Sequence, residues 1–258
     1  MFSDIRNKAK NIFSQIGYPS TKEERWKYTN TKNFNNCVSE NIKKSDYKLD
    51  EIDLPKNSYN IILYNGQLIK WDMKLEGIKI QNYDNLINTS TYPENFLKVS
   101  DFTCNGVVAH NTSAFTDALH LTINEDYKLE LPINIISITS NLKSDKIIFP
   151  RVYIHAKSNS KSKIYIQHMD YKAKCAINSV FEFFCESSSE IEVIQSSDSK
   201  NQEVIDSIFP SVFDIEFYNL GNDECFFGYD TDPICDPSND PLFNTREEKC
   251  CIQVQWEV

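Results

Sequence analysis

From residue 133 onward the chain is a succession of short β-rich runs separated by polar corners, and this spacing constrains the fold more than any other feature. The runs are INIISI (133–138), RVYIHA (151–156), KIYIQHM (163–169), SVFEFFC (179–185), EIEVIQ (190–195) and VFDIEFY (212–218), with starts 18, 12, 16, 11 and 22 residues apart. Strand alternation puts Val152/Ile154, Ile164/Ile166, Ile191/Val193 and Phe213/Ile215/Phe217 on one face, with polar residues opposite. The intervening KSNSKS, ESSS and SSDSKNQE show no helical periodicity and no hairpin dipeptide. Regular strands at this spacing fit an antiparallel β-sandwich or a barrel. Polar corners without hairpin turns fit a β-solenoid, whose coils stack on one another. Both readings stay open on pattern alone, and the corners favour the solenoid.

The N-terminal part reads differently. Phe2, Ile5, Ala9, Ile12, Phe13 and Ile16 recur at three- and four-residue spacing, the stripe of an amphipathic helix that Ser3 can cap. Gly17 and Pro19 end it, because glycine accepts the left-handed position after a helix and proline cannot continue one. Thr21 and Glu24 fit a capping box that opens a second helical turn carrying Trp26. Residues 35–56 are a polar surface connection. In IILYNGQLIK (61–70) the Asn65-Gly66 pair between apolar runs predicts a hairpin, since both turn positions need positive φ. Over 111–123, Ala114, Phe115, Ala118, Leu119 and Thr122 predict a helix capped by Thr112 or Ser113.

Composition removes several function classes. Only 6 glycines occur, where average usage of roughly 7% would give about 18, which argues against Gly-rich phosphate loops. A formal charge of −10 argues against nucleic acid or an anionic membrane surface as partner, since both need clustered Lys and Arg. No run approaches 18 apolar residues, so no membrane span is expected. The segment MFSDIRNKAKNIF lacks a signal-peptide core, so the eight cysteines read as reduced thiols in a cytoplasmic or organelle-lumen protein. The glycosylation-like triplets Asn88-Thr89-Ser90 and Asn111-Thr112-Ser113 read as chance matches.

Candidate chemistry is sparse. Among His110, His120, His155 and His168, the last two fall on successive runs and could meet as a metal or proton site; hydrogen-bonded strand residues are the plainer reading. Cys175 and Cys185 read as small buried hydrophobes rather than ligands, and Cys37 and Cys104 are isolated. In the tail, Cys225, Cys235, Cys250 and Cys251 lack the close pairs of a zinc site. Asp230, Asp232, Asp236 and Asp240 add carboxylates, of which Asp230-Thr231-Asp232 starts a calcium-loop pattern that nothing completes. The chain therefore assigns no catalytic, cofactor-binding or metal residue.

The stretch GYPSTKEERWKYTNT resembles the N-terminal motif of the SufB/SufD family of iron–sulfur cluster assembly proteins, and its SufD branch most. Gly17, Pro19, Glu23, Glu24, Trp26, Lys27, Tyr28 and Thr29 occupy the pattern, followed by the Asn65-Gly66 hairpin, Pro132-Ile133, and FPRVYIHAKSNSKSKIYIQHMD. The resemblance runs over roughly residues 1–220. It implies helices followed by a right-handed parallel β-helix, and a non-catalytic scaffold subunit working with SufB-like and SufC-like proteins, with the iron–sulfur cluster handled by the complex. Family members are similar but longer, with further coils and a C-terminal helical domain, so this chain is expected to be truncated or divergent after about residue 220. An uncapped last coil would need a cap or a partner. The competing readings are a generic β-solenoid interaction protein and a carbohydrate-active β-helix protein.

The expected organisation is thus mainly β with N-terminal helices: an N-terminal α/β region over 1–110, an incomplete right-handed parallel β-helix over 111–220, and an irregular acidic Cys/Pro-rich tail over 221–258. An antiparallel β-sandwich is the alternative.

Overall fold

The computed structural model describes residues 2–23, 26, 31–39, 54–71, 75–82, 93, 95–140, 142, 145–171, 175–199, 211–219, 228–229 and 251–257, the last three stretches as backbone. Helix α1 spans Phe2–Ile16, and its periodic stripe turns toward the protein, with Ala9 fully buried. Gly17 ends it with φ 63°, its amide donating to the Phe13 carbonyl at 2.8 Å. The helix begins at Phe2, so Ser3 lies inside its first turn rather than capping it. The expected Thr21–Glu24 capping box falls on Glu24, outside the described residues, and a turn is closed one residue earlier. The Ser20 amide donates to Glu23 Oε1 at 2.8 Å, and the Glu23 amide returns to the Ser20 carbonyl at 3.0 Å. Glu24, Lys27 and Tyr28 lie outside the described residues.

A 3₁₀ turn at Lys32–Asn36 leads to β1 (Val38–Ser39). Strands β2 (Tyr59–Tyr64) and β3 (Gln67–Trp71) pair antiparallel. The turn between them has Asn65 at φ 47° and Gly66 at φ 83°, as the Asn-Gly pair predicts. Strand β4 (Ile78–Gln81) precedes helix α2 (Gly106–Ala114), whose N-cap is Asn105; its side chain accepts from the amides of Val107 and Val108. The helix expected over 111–123 is therefore displaced. Phe115 leaves helical geometry at ψ 141°, and Leu119–Ile123 forms β5, buried along its whole length. The run alternates, with Leu119, Leu121 and Ile123 in the inter-sheet core and His120 and Thr122 buried on the opposite face. The helical spacing of Ala114, Phe115, Ala118 and Leu119 overrides this period of two in the sequence.

The remaining strands are β6 (Ile133–Ser140), β7 (Lys146–Ile148), β8 (Arg151–Ala156), β9 (Lys161–Tyr171), β10 (Ala176–Cys185), β11 (Glu190–Ser199), β12 (Ser211–Asn219), β13 (Gly228–Tyr229) and β14 (Cys251–Glu257). Each of the six β-rich runs is a strand. Among the described residues they build two seven-stranded sheets. The first is ordered β1-β7-β10-β8-β5-β4, with β12 also on β10; the second is β13-β14-β11-β9-β6-β2-β3.

This arrangement corrects the expected right-handed parallel β-helix. The described residues show mixed sheets, with antiparallel pairs β2/β3 and β4/β5 joined to parallel ladders, together with two α-helices, an α/β-like assembly. The physical reason is local. The two-residue Asn65-Gly66 turn forces reversal of the chain within a sheet, and β4 runs against β5 across α2. The antiparallel sandwich also fails, because the ladders β5/β8, β8/β10, β6/β9 and β9/β11 are parallel.

The main core lies between the sheets. Leu119, Leu121, Val152, Ile154, Phe181 and Phe183 from the first meet Ile61, Leu63, Ile133, Ile135, Ile164, Ile166, Ile191 and Val193 from the second. Each such fully buried side chain contributes roughly 1.5–3 kcal/mol. A second apolar cluster roofs the outer face of the first sheet, where Phe34, Phe96, Val107 and Phe115 cover Tyr153 and Phe184, and half-buried Trp26 packs at its margin.

Candidate functional site

Under that roof the strands present polar side chains that the sequence pattern would leave in solvent. Arg151 on β8 and Glu182 on β10 form an ion pair at 2.6 Å, and both side chains are 0% exposed. Arg151 Nη1 also donates to Asn111 Oδ1 at 3.3 Å and to Thr112 Oγ1 at 3.2 Å on α2. Glu182 Oε1 accepts the Ser100 amide at 3.0 Å. Asn111 Nδ2 donates to the carbonyls of Pro150 (3.0 Å) and Asn178 (2.7 Å), so α2 is bonded to both β10 and the entry to β8. These partners make the burial tolerable, since an uncompensated charge in this setting is strongly destabilising. They also exclude Asn111 as a glycosylation acceptor, because it is completely buried.

The network reaches α1 through Tyr18. Its hydroxyl lies 2.5 Å from His110 Nδ1 and accepts from Asn178 Nδ2 at 3.3 Å. Burial lifts the Tyr18 hydroxyl well above its ordinary range and lowers His110 to about 4. Tyr18 therefore stays protonated beside a neutral imidazole, and one hydrogen bond joins its hydroxyl to His110 Nδ1. Phe13 stacks on His110 at 4.1 Å and 11°. Close approach of the backbones completes the docking. A Cβ on Gly106 would lie 1.7 Å from the Gly17 carbonyl oxygen, so the first residue of α2 must be glycine.

A second polar row continues along the same face. His155 Nε2 pairs with Glu186 Oε1 at 2.6 Å, and Glu186 Oε2 accepts the Ser158 amide and hydroxyl at 3.1 and 3.0 Å. Burial raises the Glu186 carboxyl, but the bonds from His155 and Ser158 outweigh this and leave it below the usual range. Beside them His120 bonds Thr122 Oγ1 at 3.1 Å and is lowered to about 4 by burial, with smaller contributions from His155 and Lys79. The Tyr153 ring lies 5.2 Å from His120, its hydroxyl fully buried and raised by desolvation.

His155 and His168, the pair that successive runs suggested, are not brought together. His155 packs edge-on against Phe184 on the roofed face, whereas His168 packs edge-on against Phe181 between the sheets. There His168 bonds the Gln195 side chain at 3.2 Å, and burial lowers it to about 3. Cys185 lies in the inter-sheet core and Cys175 in a separate cluster with Ile148 and Ile177. Cys104 is exposed, and Cys37 is half-buried, its thiol raised by burial and by Asp145. Cys225, Cys235, Cys250 and the four tail aspartates lie outside the described residues. Among the described residues no group of three or more His, Cys, Asp or Glu side chains is placed to hold a metal ion. No described helix is long and apolar enough to cross a membrane.

The corners between the sheets stack as well. Asp126, Asn159 and Ser188 occupy equivalent left-handed positions (φ 59°, 58° and 58°), and Asn159 Nδ2 donates to Asp126 Oδ1 at 3.0 Å. They line a shallow cleft of about 480 Å³ with Lys128, Lys161 and Glu190. Its Lys161–Glu190 pair at 2.7 Å is solvent-exposed. The arrangement is a turn ladder rather than a reactive centre.

The sequence reading missed Arg151, Glu182, Asn111, Asn178 and Tyr18 as a group. One signal was available: Glu182 interrupts the apolar run SVFEFFC, where a charge buried on a central strand requires a partner. What the roofed face can do is mechanical. It ties α1, the Gly17–Pro19 turn, α2 and the strands β8 and β10 into one unit, with its charges sequestered from solvent.

Comparison with known proteins agrees with that emphasis on the N-terminal half. The family model described as the SufBD protein N-terminal region matches residues 1–135. A search of curated proteins returns no match.

Proposed function

Because the chain belongs to the SufB/SufD family, we propose that it is a SufD-like scaffold subunit of a SUF iron–sulfur cluster assembly complex, standing beside a SufB-like chain and a SufC-like ATPase. The observation that carries this reading is the family match over residues 1–135, which links the chain to the SUF system. Proteins of that family are in general non-catalytic scaffold components. The buried Arg151–Glu182 network accords with such a role, since it spends its charged groups on holding the N-terminal region against the sheets. The cluster is the complex's cargo, and the chain works in the cytoplasm or an organelle lumen where that cargo is made.

The test is co-expression of the tagged chain with a SufB-like and a SufC-like protein, followed by affinity capture and size-exclusion chromatography. A complex containing all three is expected, and the chain should restore cluster assembly in cells lacking the SufD-type subunit. Retention of neither partner would overturn the reading. Rescue of cells lacking the SufB-type subunit instead would reassign the branch.

A further inference from the structure

The segment that roofs Tyr153 is held under opposing forces. Phe96 and Leu97 are buried in the aromatic cluster over the first sheet. Phe96 meets the Tyr153 ring at 5.6 Å and the Phe115 ring at 6.3 Å, both in edge geometry. Leu97, however, holds φ 65°, the left-handed region that a Cβ disfavours. Three residues on, the Ser100 amide donates to Glu182 Oε1 at 3.0 Å. An exposed turn follows, in which the Thr103 amide donates to Asp101 Oδ1 at 2.8 Å. Asn105 then caps α2.

The closed segment also encloses polar atoms that it does not satisfy. The Ser100 hydroxyl, the Tyr153 hydroxyl and His120 Nδ1 are buried and have no hydrogen-bond partner. Glu182, Tyr153 and His120 are neighbours in register across β10, β8 and β5, and Ser100 sits at the Glu182 end of that row. A buried polar group without a partner costs the folded state its desolvation, whereas water satisfies the same group once it is exposed. The left-handed Leu97 and the two hydroxyls therefore oppose closure. Burial of Phe96 and Leu97 and the Ser100–Glu182 bond favour it.

The geometry points to Phe96–Ser100 as a strap that opens and closes over Tyr153, hinged at the exposed turn Asp101–Cys104, while the sheets stay folded. Opening releases the Leu97 backbone and gives the Ser100 and Tyr153 hydroxyls to water. Closure seals the row beneath the aromatic rings. The inference stands apart from the assembly reading, because it concerns motion within this chain and survives failure to capture SufB-like or SufC-like partners.

Amide hydrogen exchange on the full chain, resolved by residue, tests it. Ser100 is the reporter, because its amide bonds Glu182 only while the strap is closed. That amide should exchange roughly tenfold or more faster than the hydrogen-bonded amides of β8 and β10, at a rate unchanged by low urea, as local opening requires. Ser100→Ala and Tyr153→Phe each delete one unsatisfied hydroxyl and leave the amide bond in place. Each should raise protection at residue 100 by about five- to tenfold. Exchange at Ser100 that matches β8 and β10 and follows urea as they do would overturn the proposal, since the segment would then open only with the whole fold. Protection at residue 100 that stays level or falls in either variant would overturn it as well.

Discussion

The buried Arg151–Glu182 pair can be dissected quantitatively. Both side chains are completely enclosed, 2.6 Å apart, so removing one partner leaves the other charge without compensation. Glu182→Gln keeps the acceptor for the Ser100 amide but removes the charge opposite Arg151; Arg151→Met keeps the aliphatic stem but strips the donors. Each should cost about 3–5 kcal/mol of unfolding free energy. The double variant Arg151→Met/Glu182→Gln has no orphaned charge. It still loses the Arg151 donors to Asn111 and Thr112, about 1 kcal/mol each, so its loss should be roughly 1–3 kcal/mol. The pair should therefore couple by at least ~2 kcal/mol in urea unfolding followed by circular dichroism. If the double variant's loss equals the sum of the singles to within ~0.5 kcal/mol, the two groups do not act as a pair and the account of the roofed face is wrong.

Acidification should destabilise the fold between about pH 6.5 and 4. His110 and His120 are lowered to about 4 in the folded chain, so the unfolded chain binds more protons in that window. Stability is then fully present above pH 6.5 and lost as pH falls, by roughly 3 kcal/mol per histidine; urea midpoints at pH 7, 6 and 5 measure it, and midpoints that do not shift would refute it. Gly106→Ala should be far more damaging than Gly17→Ala. The first drives a Cβ into the Gly17 carbonyl, whereas the second only imposes a left-handed alanine with open space around it, about 1–2 kcal/mol; thermal melts rank the two. Lys161→Ala should change stability by less than about 1 kcal/mol, because its pair with Glu190 is exposed, and a larger loss would show that the stacked corner depends on it.

How much of this was legible follows the range of the interactions. The helix stop at Gly17 and the Asn65-Gly66 turn depend on φ values that few residues accept, so they could be read locally. The six β-rich runs could be read because strand alternation is local too. Their arrangement could not, since parallel and antiparallel pairing of the same runs differ only in where the connections return. The burial of the polar residues of β8 and β10 could not be read for a related reason. Alternation shows that Glu182 faces away from Phe181 and Phe183, but whether that second face meets water depends on Phe96, Val107 and Phe115 some 70 residues earlier. The helix expected at 111–123 failed because the spacing of Ala114, Phe115, Ala118 and Leu119 was carried into β5, where Leu119, Leu121 and Ile123 alternate with His120 and Thr122 at a period of two.

The matched family region ends at residue 135, inside β6, yet the bonds that fix it lie on both sides of that point. Tyr18, Ser100, His110 and Asn111 fall within it; Arg151, Asn178 and Glu182 fall beyond it, and the two sets close one hydrogen-bonded network. The same holds for the ladders, since β5 from the matched region pairs with β8 outside it, and β6 pairs with β9. A segment cut at 135 would leave the Ser100 amide and the Asn111 side chain without their buried partners and would expose one edge of β5 along its length. The boundary of the family region is therefore a boundary in sequence similarity and not in folding. Whatever surface the N-terminal region offers to a partner is held in place by charges buried in the strands that follow it.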